Sequence, residues 1–275
     1  MGLRINTNVA SLVAQRNLAK TTDALVGNFA RVSTGRRIAR ASDDAAGLAI
    51  STRLVAQIRS LNQASRNASD GIGLVQTAEG QLDEVSQILT RARELAVQSA
   101  NGTLQAIDKD SLQNEFGNIL VQVDQIANSA KFNGLSLLSS PTTITLQIGT
   151  GTTAGTDTLD ISFVSILASA LGISTLDIGS TGNAHAAITA LDSAINVISA
   201  QRARIGAAQN TLNGAISSIL NRAENLAAAN SRILDVDLAQ ETAELTKNNI
   251  LQQAGVAVLA HANQQPASAL ALLRT

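Results

Sequence analysis

Residues 54–96 place an apolar side chain at nearly every step of four or three: Leu54, Ile58, Leu61, Ala68, Ile72, Val75, Ala78, Leu82, Val85, Leu89, Ala92 and Ala96, with only Ser65 out of pattern. Steps that alternate between four and three return to one side of an α-helix, so the run predicts a single helix on the order of 60 Å long at 1.5 Å per residue. That is well beyond the usual globular helix and of coiled-coil kind.

Companion helices are written in the same spacing. Leu112, Phe116, Ile119, Val123, Ile126 and Ala130 predict a third helix, closed by the turn dipeptide Asn133-Gly134. Helical spacing resumes at Ile188 and runs through Leu191, Ile195, Ile198, Ile205, Leu212, Ile216, Ile219, Ala223 and Leu226 to Ile233, interrupted by Arg202 and Gln209. On a long helix such interruptions read as a solvated gap. Upstream, Leu18, Leu25, Phe29 and Val32 predict a first helix of roughly seven to eight turns ending at Gly35. The linker after it is rich in arginine and ends at Ser42, Asp43 and Asp44, which are expected to cap the next helix and to pair with Arg36, Arg37 or Arg40. Near the other end Asp237 is placed to cap a last helix carrying Leu245, Ile250, Leu251, Ala254, Val258 and Leu259.

Only the middle departs from helical spacing. Ile144, Leu146 and Ile148 alternate with polar residues, a Gly/Thr-rich turn follows, and Leu159, Ile161 and Phe163 alternate again, which predicts a β-hairpin near residues 143–163. Residues 164–185 carry short apolar pieces and glycines, with room for one helical turn and a strand.

Composition narrows the function classes. Hydrophobic residues make up 45%, enough for a core, yet only four are Phe and there is no Tyr or Trp. Ala-rich, aromatic-poor chains favour long helices. A net charge of −1 with both signs scattered provides no basic stripe for nucleic acid. With no Cys there is neither a disulfide framework nor a thiolate site. Asn6 and Asn8 precede any apolar run, unlike a Sec-type leader, and the apolar stretch at residues 255–260 is too short to insert in a bilayer.

No catalytic frame is present. His185 and His261 lack a metal-binding partner at helical spacing, and they read as exposed or interface histidines. Gly71, Gly73 and Gly80 have no phosphate-loop context, so they are expected to admit a neighbouring helix. No cofactor, metal or catalytic residue is expected, and the chain reads as mechanical.

The letters then matter. RINTNVASLVAQRNL, SDDAAGLAIS, QASRNASDGIGLVQTAEGQLDEV, RARELAVQSANGT and KFNG in the first half resemble bacterial flagellin, as does ANSRILDVDLAQETAELTKNNILQQAGVAVLAHANQQPASALALLR at the other end. The resemblance covers residues 1 to about 140 and about 185 to 275. It implies a mainly α fold: a long antiparallel helical rod (residues 45–233) with a small β-hairpin region in the middle of the chain. It also implies terminal coiled-coil helices and linker (1–44 and 234–275) that line the inner core of a filament, and the short segment 164–185 stands where larger flagellins insert outer domains.

Under this resemblance the chain is a secreted, extracellular subunit of the bacterial flagellar filament that polymerises with copies of itself. Its further partners would be an export chaperone, cap and hook-junction proteins. Self-assembly would rest on Ile5, Val9, Leu12, Leu18, Leu25, Phe29 and Val32 and on Leu245, Ile250, Leu251, Ala254, Val258, Leu259, Leu270 and Leu273. Arg91, Leu95 and Glu115 match the stretch that the vertebrate Toll-like flagellin receptor recognises, although Thr90 stands where glutamine is common; their simpler role is subunit packing. A hook–filament junction protein or a secreted helical adaptor are the alternatives. Physically, Ala-rich ends bury little area against an ordering cost of roughly 1–2 kcal/mol per residue, so their folding is expected to await neighbours.

Overall fold

In the computed structural model the backbone is described over residues 7–272 and side chains over residues 7–265. Five helices carry it: α1 (Val9–Thr34), α2 (Ala45–Ser99), α3 (Ala106–Ser129), α4 (Thr181–Leu234) and α5 (Leu238–Leu272), with four short strands, β1 (Lys131–Phe132), β2 (Leu135–Ser136), β3 (Thr142–Gln147) and β4 (Thr158–Phe163). Each boundary has a local cause. Asn8 Oδ1 accepts from Ser11 N at 3.1 Å at the start of α1, and Gly35 ends it in the left-handed region at φ 67°. Asp44 Oδ1 accepts from Gly47 N at the start of α2, Ser180 Oγ from Asn183 N at α4, and Asp237 Oδ1 from Ala239 N at α5.

The chain divides into two compact units, Met1–Ala56 with Asn225–Thr275, and Gln57–Glu224. Both divisions therefore fall within α2 and α4, inward of the expected positions at 44 and 234. The second unit holds one apolar interior. Phe116, Val123 and Leu120 of α3 meet Leu82, Leu89 and Leu95 of α2 and Leu191 and Ile198 of α4, closed by Ile161 and Phe163 of β4.

β3 and β4 pair antiparallel, Ile144 opposite Ile161 and Leu146 opposite Leu159. Their alternation puts those residues on the core side and leaves Thr143, Thr145, Asp160 and Ser162 outside, where Thr145 Oγ1 donates to Asp160 Oδ1 at 2.6 Å. Gly71 receives this hairpin: a Cβ there would overlap Leu146 Cδ1 and lie 3.4 Å from Leu212 Cδ1. The expected glycine contact is thus with a strand as well as a helix. Gly73 has only Phe132 within 3.9 Å, and Gly80 faces open space.

Three further expectations are corrected. Residues 164–180 contain no strand; Ile166, Ala168, Ile173 and Ile178 are buried in an irregular path, and α4 begins at Thr181. Backbone groups without a ladder need other partners, and helix side chains supply them. Ala168 N donates to Asp124 Oδ1 at 2.7 Å, Ile178 N to Gln113 Oε1 at 2.6 Å, and Ser99 Oγ to Ile178 O. Asn133-Gly134 does not close α3, which ends at Ser129 with Ala130 as its cap; it joins β1 to β2 as a two-residue hairpin, with φ 47° and 81° as the local turn requires.

The third correction concerns the linker. Among the described residues neither Asp43 nor Asp44 forms an ion pair with Arg36, Arg37 or Arg40, because both carboxylates are taken by backbone amides. Asp43 Oδ2 accepts from Ala39 N and Arg40 N at 3.0 and 2.8 Å. Arg37 instead donates through Nη2 to Ile233 O and through its backbone N to Leu234 O, while Val236 N donates to Gly35 O. The two linkers are thereby laced together. At the interruption of the long stripe, Arg202 reaches Asp83 at 3.0 Å. The truly buried polar residue there is Gln201, whose Nε2 donates to Ser162 O and whose Oε1 has no partner.

Candidate assembly surface

The first unit is built around the α1–α5 pair, which runs antiparallel: Ser11 meets Asn263, Leu18 meets Gly255 and Arg31 meets Glu241. Its seam follows a heptad spacing. On α1 the residues turned inward are Ser11, Ala14, Leu18, Thr21, Leu25, Asn28 and Val32, and on α5 they are Glu241, Leu245, Asn248, Gln252, Gly255, Leu259 and Ala262. Steps of three and four along both helices mark coiled-coil packing.

The seam's chemistry is unusual. Nine of these fourteen positions are polar or as small as Gly and Ala. Ser11 Oγ donates to Asn263 Oδ1 at 2.7 Å, Asn8 Nδ2 to Ala262 O at 2.7 Å, and Arg31 Nε to Glu241 Oε1 at 2.8 Å. Asn28, 3% exposed, accepts through Oδ1 from Asn248 Nδ2 at 3.5 Å. Gly255 lets the helices close in, since a Cβ there would stand 3.3 Å from Leu18 Cδ1.

Large apolar side chains point the other way. Val9, Leu12, Val13, Val26 and Phe29 on α1 and Leu238, Ile250, Leu251, Val256 and Val258 on α5 are all exposed, Phe29 at 57% and Ile250 at 61%. α5 therefore has almost no apolar bias toward either face. The residues expected to carry self-assembly divide accordingly. Leu25 is buried, and Leu18, Val32, Leu245 and Leu259 are half-buried in the seam; Val9, Leu12, Phe29, Ile250, Leu251, Ala254 and Val258 face outward. Ile5 and Leu273, and the side chain of Leu270, lie outside the described residues. The polar members Asn8, Ser11, Asn28, Asn248 and Asn263 escaped a reading weighted to apolar spacing. The heptad itself was the available signal.

On the second unit, Arg91 and Glu115 form an ion pair. Arg91 Nη2 lies 2.9 Å from Glu115 Oε1 and Nη1 3.1 Å from Glu94 Oε2, and these hydrogen bonds, Glu115's first, raise the arginine's pKa further above its ordinary value. Leu95 does not join that surface: at 1% exposure it packs into the core, because its place on α2 falls on the apolar stripe one step beyond Ala92. Beside them Arg93 Nε holds Asp192 Oδ1 at 2.6 Å, and that hydrogen bond keeps the carboxyl below its usual range.

Reaction chemistry finds no comparable constellation. Among the described residues no group of three His, Cys, Asp or Glu side chains is placed to hold a metal, and no helix is long and apolar enough to cross a membrane. A groove of about 290 Å³ beside α1 is lined by Asp23, Val26, Ala30, Arg31, Arg40 and Asp43 among others, with Arg31 held by Glu241 and Asp43 by the linker backbone. His185 and His261 are both exposed and lie on separate helices.

Residues 5–143 match the bacterial flagellin N-terminal helical region and residues 188–273 the C-terminal helical region. A flagellin of Halalkalibacterium halodurans is 45% identical over 98% of this chain and 99% of its own length, and one of Bacillus subtilis is 41% identical over 99% of this chain and 100% of its own. The crystal structure of Bacillus cereus flagellin aligns with 60% of this chain and 94% of that one, at 34% identity and a TM-score of 0.49. With both terminal helical regions matched in order and relatives followed almost end to end, the chain belongs to the bacterial flagellin family.

Proposed function

We infer that this flagellin polymerises through the outward faces of α1 and α5. The chain is a structural subunit of the bacterial flagellar filament, part of an extracellular appendage that serves motility, and it is not an enzyme. Its relatives along nearly the full length carry flagellin and filament-core names, which favours the filament subunit over a junction protein or an adaptor.

The observation that carries the finer reading is the distribution of side chains in the terminal pair, with only five large apolar residues in the seam and ten large apolar side chains outside. Fully burying one Val, Leu, Ile or Phe side chain is worth roughly 1.5–3 kcal/mol, so surfaces such as Leu12, Phe29, Ile250 and Val258 gain most when other copies cover them. Ordering the ends and joining the filament then become one coupled event. Residues 1–44 and 234–275 would form the inner layer of the tube, with the linkers between that layer and the helices outside it. The β3–β4 hairpin is a candidate axial contact, where small shifts between two packings would change filament coiling.

Export as an unfolded chain through a type III apparatus, and handling by a chaperone, a cap and hook-junction proteins, belong to the same reading. For the Toll-like flagellin receptor, Arg91 and Glu115 with neighbouring Glu94 offer a charged surface, with Leu95 acting beneath it as packing. A receptor reporter assay with free subunits checks this; silence at concentrations where a stimulatory flagellin is active would rule it out.

The assembly reading is tested by truncation. Chains lacking residues 1–35 or 234–275 should stay folded and soluble, keep the melting transition of the second unit, and fail to extend short filament seeds. Filaments grown from either truncation would refute the assignment.

A further inference from the structure

α5 contains a proline, Pro266, six residues before its last described residue. Proline has no N–H, so the carbonyl four residues earlier, that of Ala262, cannot receive its intrahelical hydrogen bond. That carbonyl is the one to which Asn8 Nδ2 donates at 2.7 Å. The same amide accepts through Oδ1 from Ser11 N at 3.1 Å and so caps α1. One side chain therefore starts α1 and ties that start to a single place on α5. The adjoining pair, Ser11 Oγ to Asn263 Oδ1 at 2.7 Å, reinforces the same position.

We propose that Asn8 and Pro266 form a register lock for the terminal helix pair: the proline frees one carbonyl on α5, and the asparagine that caps α1 reads it. Apolar matching chooses the register only weakly here, because α5 is apolar on several faces and nine of the fourteen seam positions are small or polar. A carbonyl left unpaired at one point along a helix is a unique address. A displacement of one turn, about 5.4 Å, would leave both the carbonyl and Nδ2 without partners. The lock also fixes which outward side chains of α1 stand beside which of α5, so it rests on the assembly reading for its consequence while its geometry stands apart from it.

The test separates capping from docking. Asn8→Asp keeps a side-chain oxygen for Ser11 N and suits a helix N-terminus, but it offers no donor to Ala262 O. Pro266→Ala restores the intrahelical donor and makes the Asn8 contact dispensable. The chain has no Cys, so a Leu18→Cys, Gly255→Cys pair reports register cleanly; a Cβ at Gly255 would lie 4.0 Å from Leu18 Cβ, within disulfide range.

In the full-length chain, Asn8→Asp is expected to slow formation of this disulfide and to raise the critical concentration for seeded growth roughly three- to tenfold, the worth of one net hydrogen bond. In the Pro266→Ala background the same substitution should change neither. Equal penalties in the two backgrounds, or no penalty in the parent, overturn the lock. If no chain extends seeds, the assembly reading fails, and with it the coupling of terminal ordering to filament growth; the disulfide rates in the free chain then decide the lock.

Discussion

In the second unit Phe116, Leu82, Leu89, Leu191 and Phe163 converge on one interior, whereas α1 and α5 meet through Ser11, Ala14, Asn28, Asn248, Gly255 and Ala262 and hold Phe29 and Ile250 outward. Both regions use helices with the same heptad spacing. What differs is the size of the residues placed on the seam. A large apolar seam stabilises its own fold. A small, polar seam fixes geometry and leaves the apolar area for others to bury. Autonomy and dependence can therefore be read from which face receives the bulky side chains, even where the secondary structure is alike.

The sharpest way to break this contrast is a deletion in the self-sufficient core. Phe116→Ala is expected to cost about 3–5 kcal/mol in urea unfolding, since the ring is fully buried and the cavity cannot collapse. A loss below about 1 kcal/mol would mean that the second unit is not held by that interior. Next comes the seat of the hairpin. Gly71→Val should cost about 1–3 kcal/mol by driving Leu146 out, with much of the loss recovered in the Leu146→Ala double variant. Simple addition of the two penalties would contradict a shared site.

Smaller still is the stability effect expected on the outward face. Phe29→Asp or Ile250→Asp should change unfolding of the free chain by no more than about 0.5 kcal/mol while abolishing seeded elongation measured by light scattering. Unfolding of the free chain at the same cost as Phe116→Ala would erase the distinction between the regions.

The smallest effect belongs to the exposed pair of Arg93 and Asp192. Because the folded carboxyl is depressed, its contribution is present above the ordinary value of 3.8 and is lost as pH falls through the lower folded value. Exposed pairs of this kind contribute little and are screened by salt. Asp192→Asn should slightly flatten the acid limb of the urea midpoint below about pH 4 and leave its slope near neutrality unchanged. An altered slope near pH 7 would assign the shift to another group.

The long helices were legible because a single period ran through many residues; Leu61, Ala68, Val75, Leu82, Leu89 and Ala96 all lie buried where their spacing put them. The Asn133-Gly134 turn and the alternating hairpin were legible for the same reason, local chemistry repeated at fixed spacing. Residues 164–180 were not, since their path depends on Asp124, Gln113 and Ser99, far away in the chain. Nor was the arrest of Asp43 by backbone amides, because a carboxylate near three arginines has several partners of similar reach.

By itself the sequence determined the helices, the hairpin, the absence of thiol chemistry and the family, because each rests on periodicity, covalent identity or continuous likeness along the chain. Only the tertiary structure decided which face of α5 meets α1, since Leu245, Ile250, Leu251 and Val258 are equally apolar and spacing alone ranks them alike. Pairing across more than two hundred residues made the choice: Ser11 meets Asn263, Asn28 meets Asn248 and Arg31 meets Glu241, and with that face inward Ile250 and Val258 turn outward.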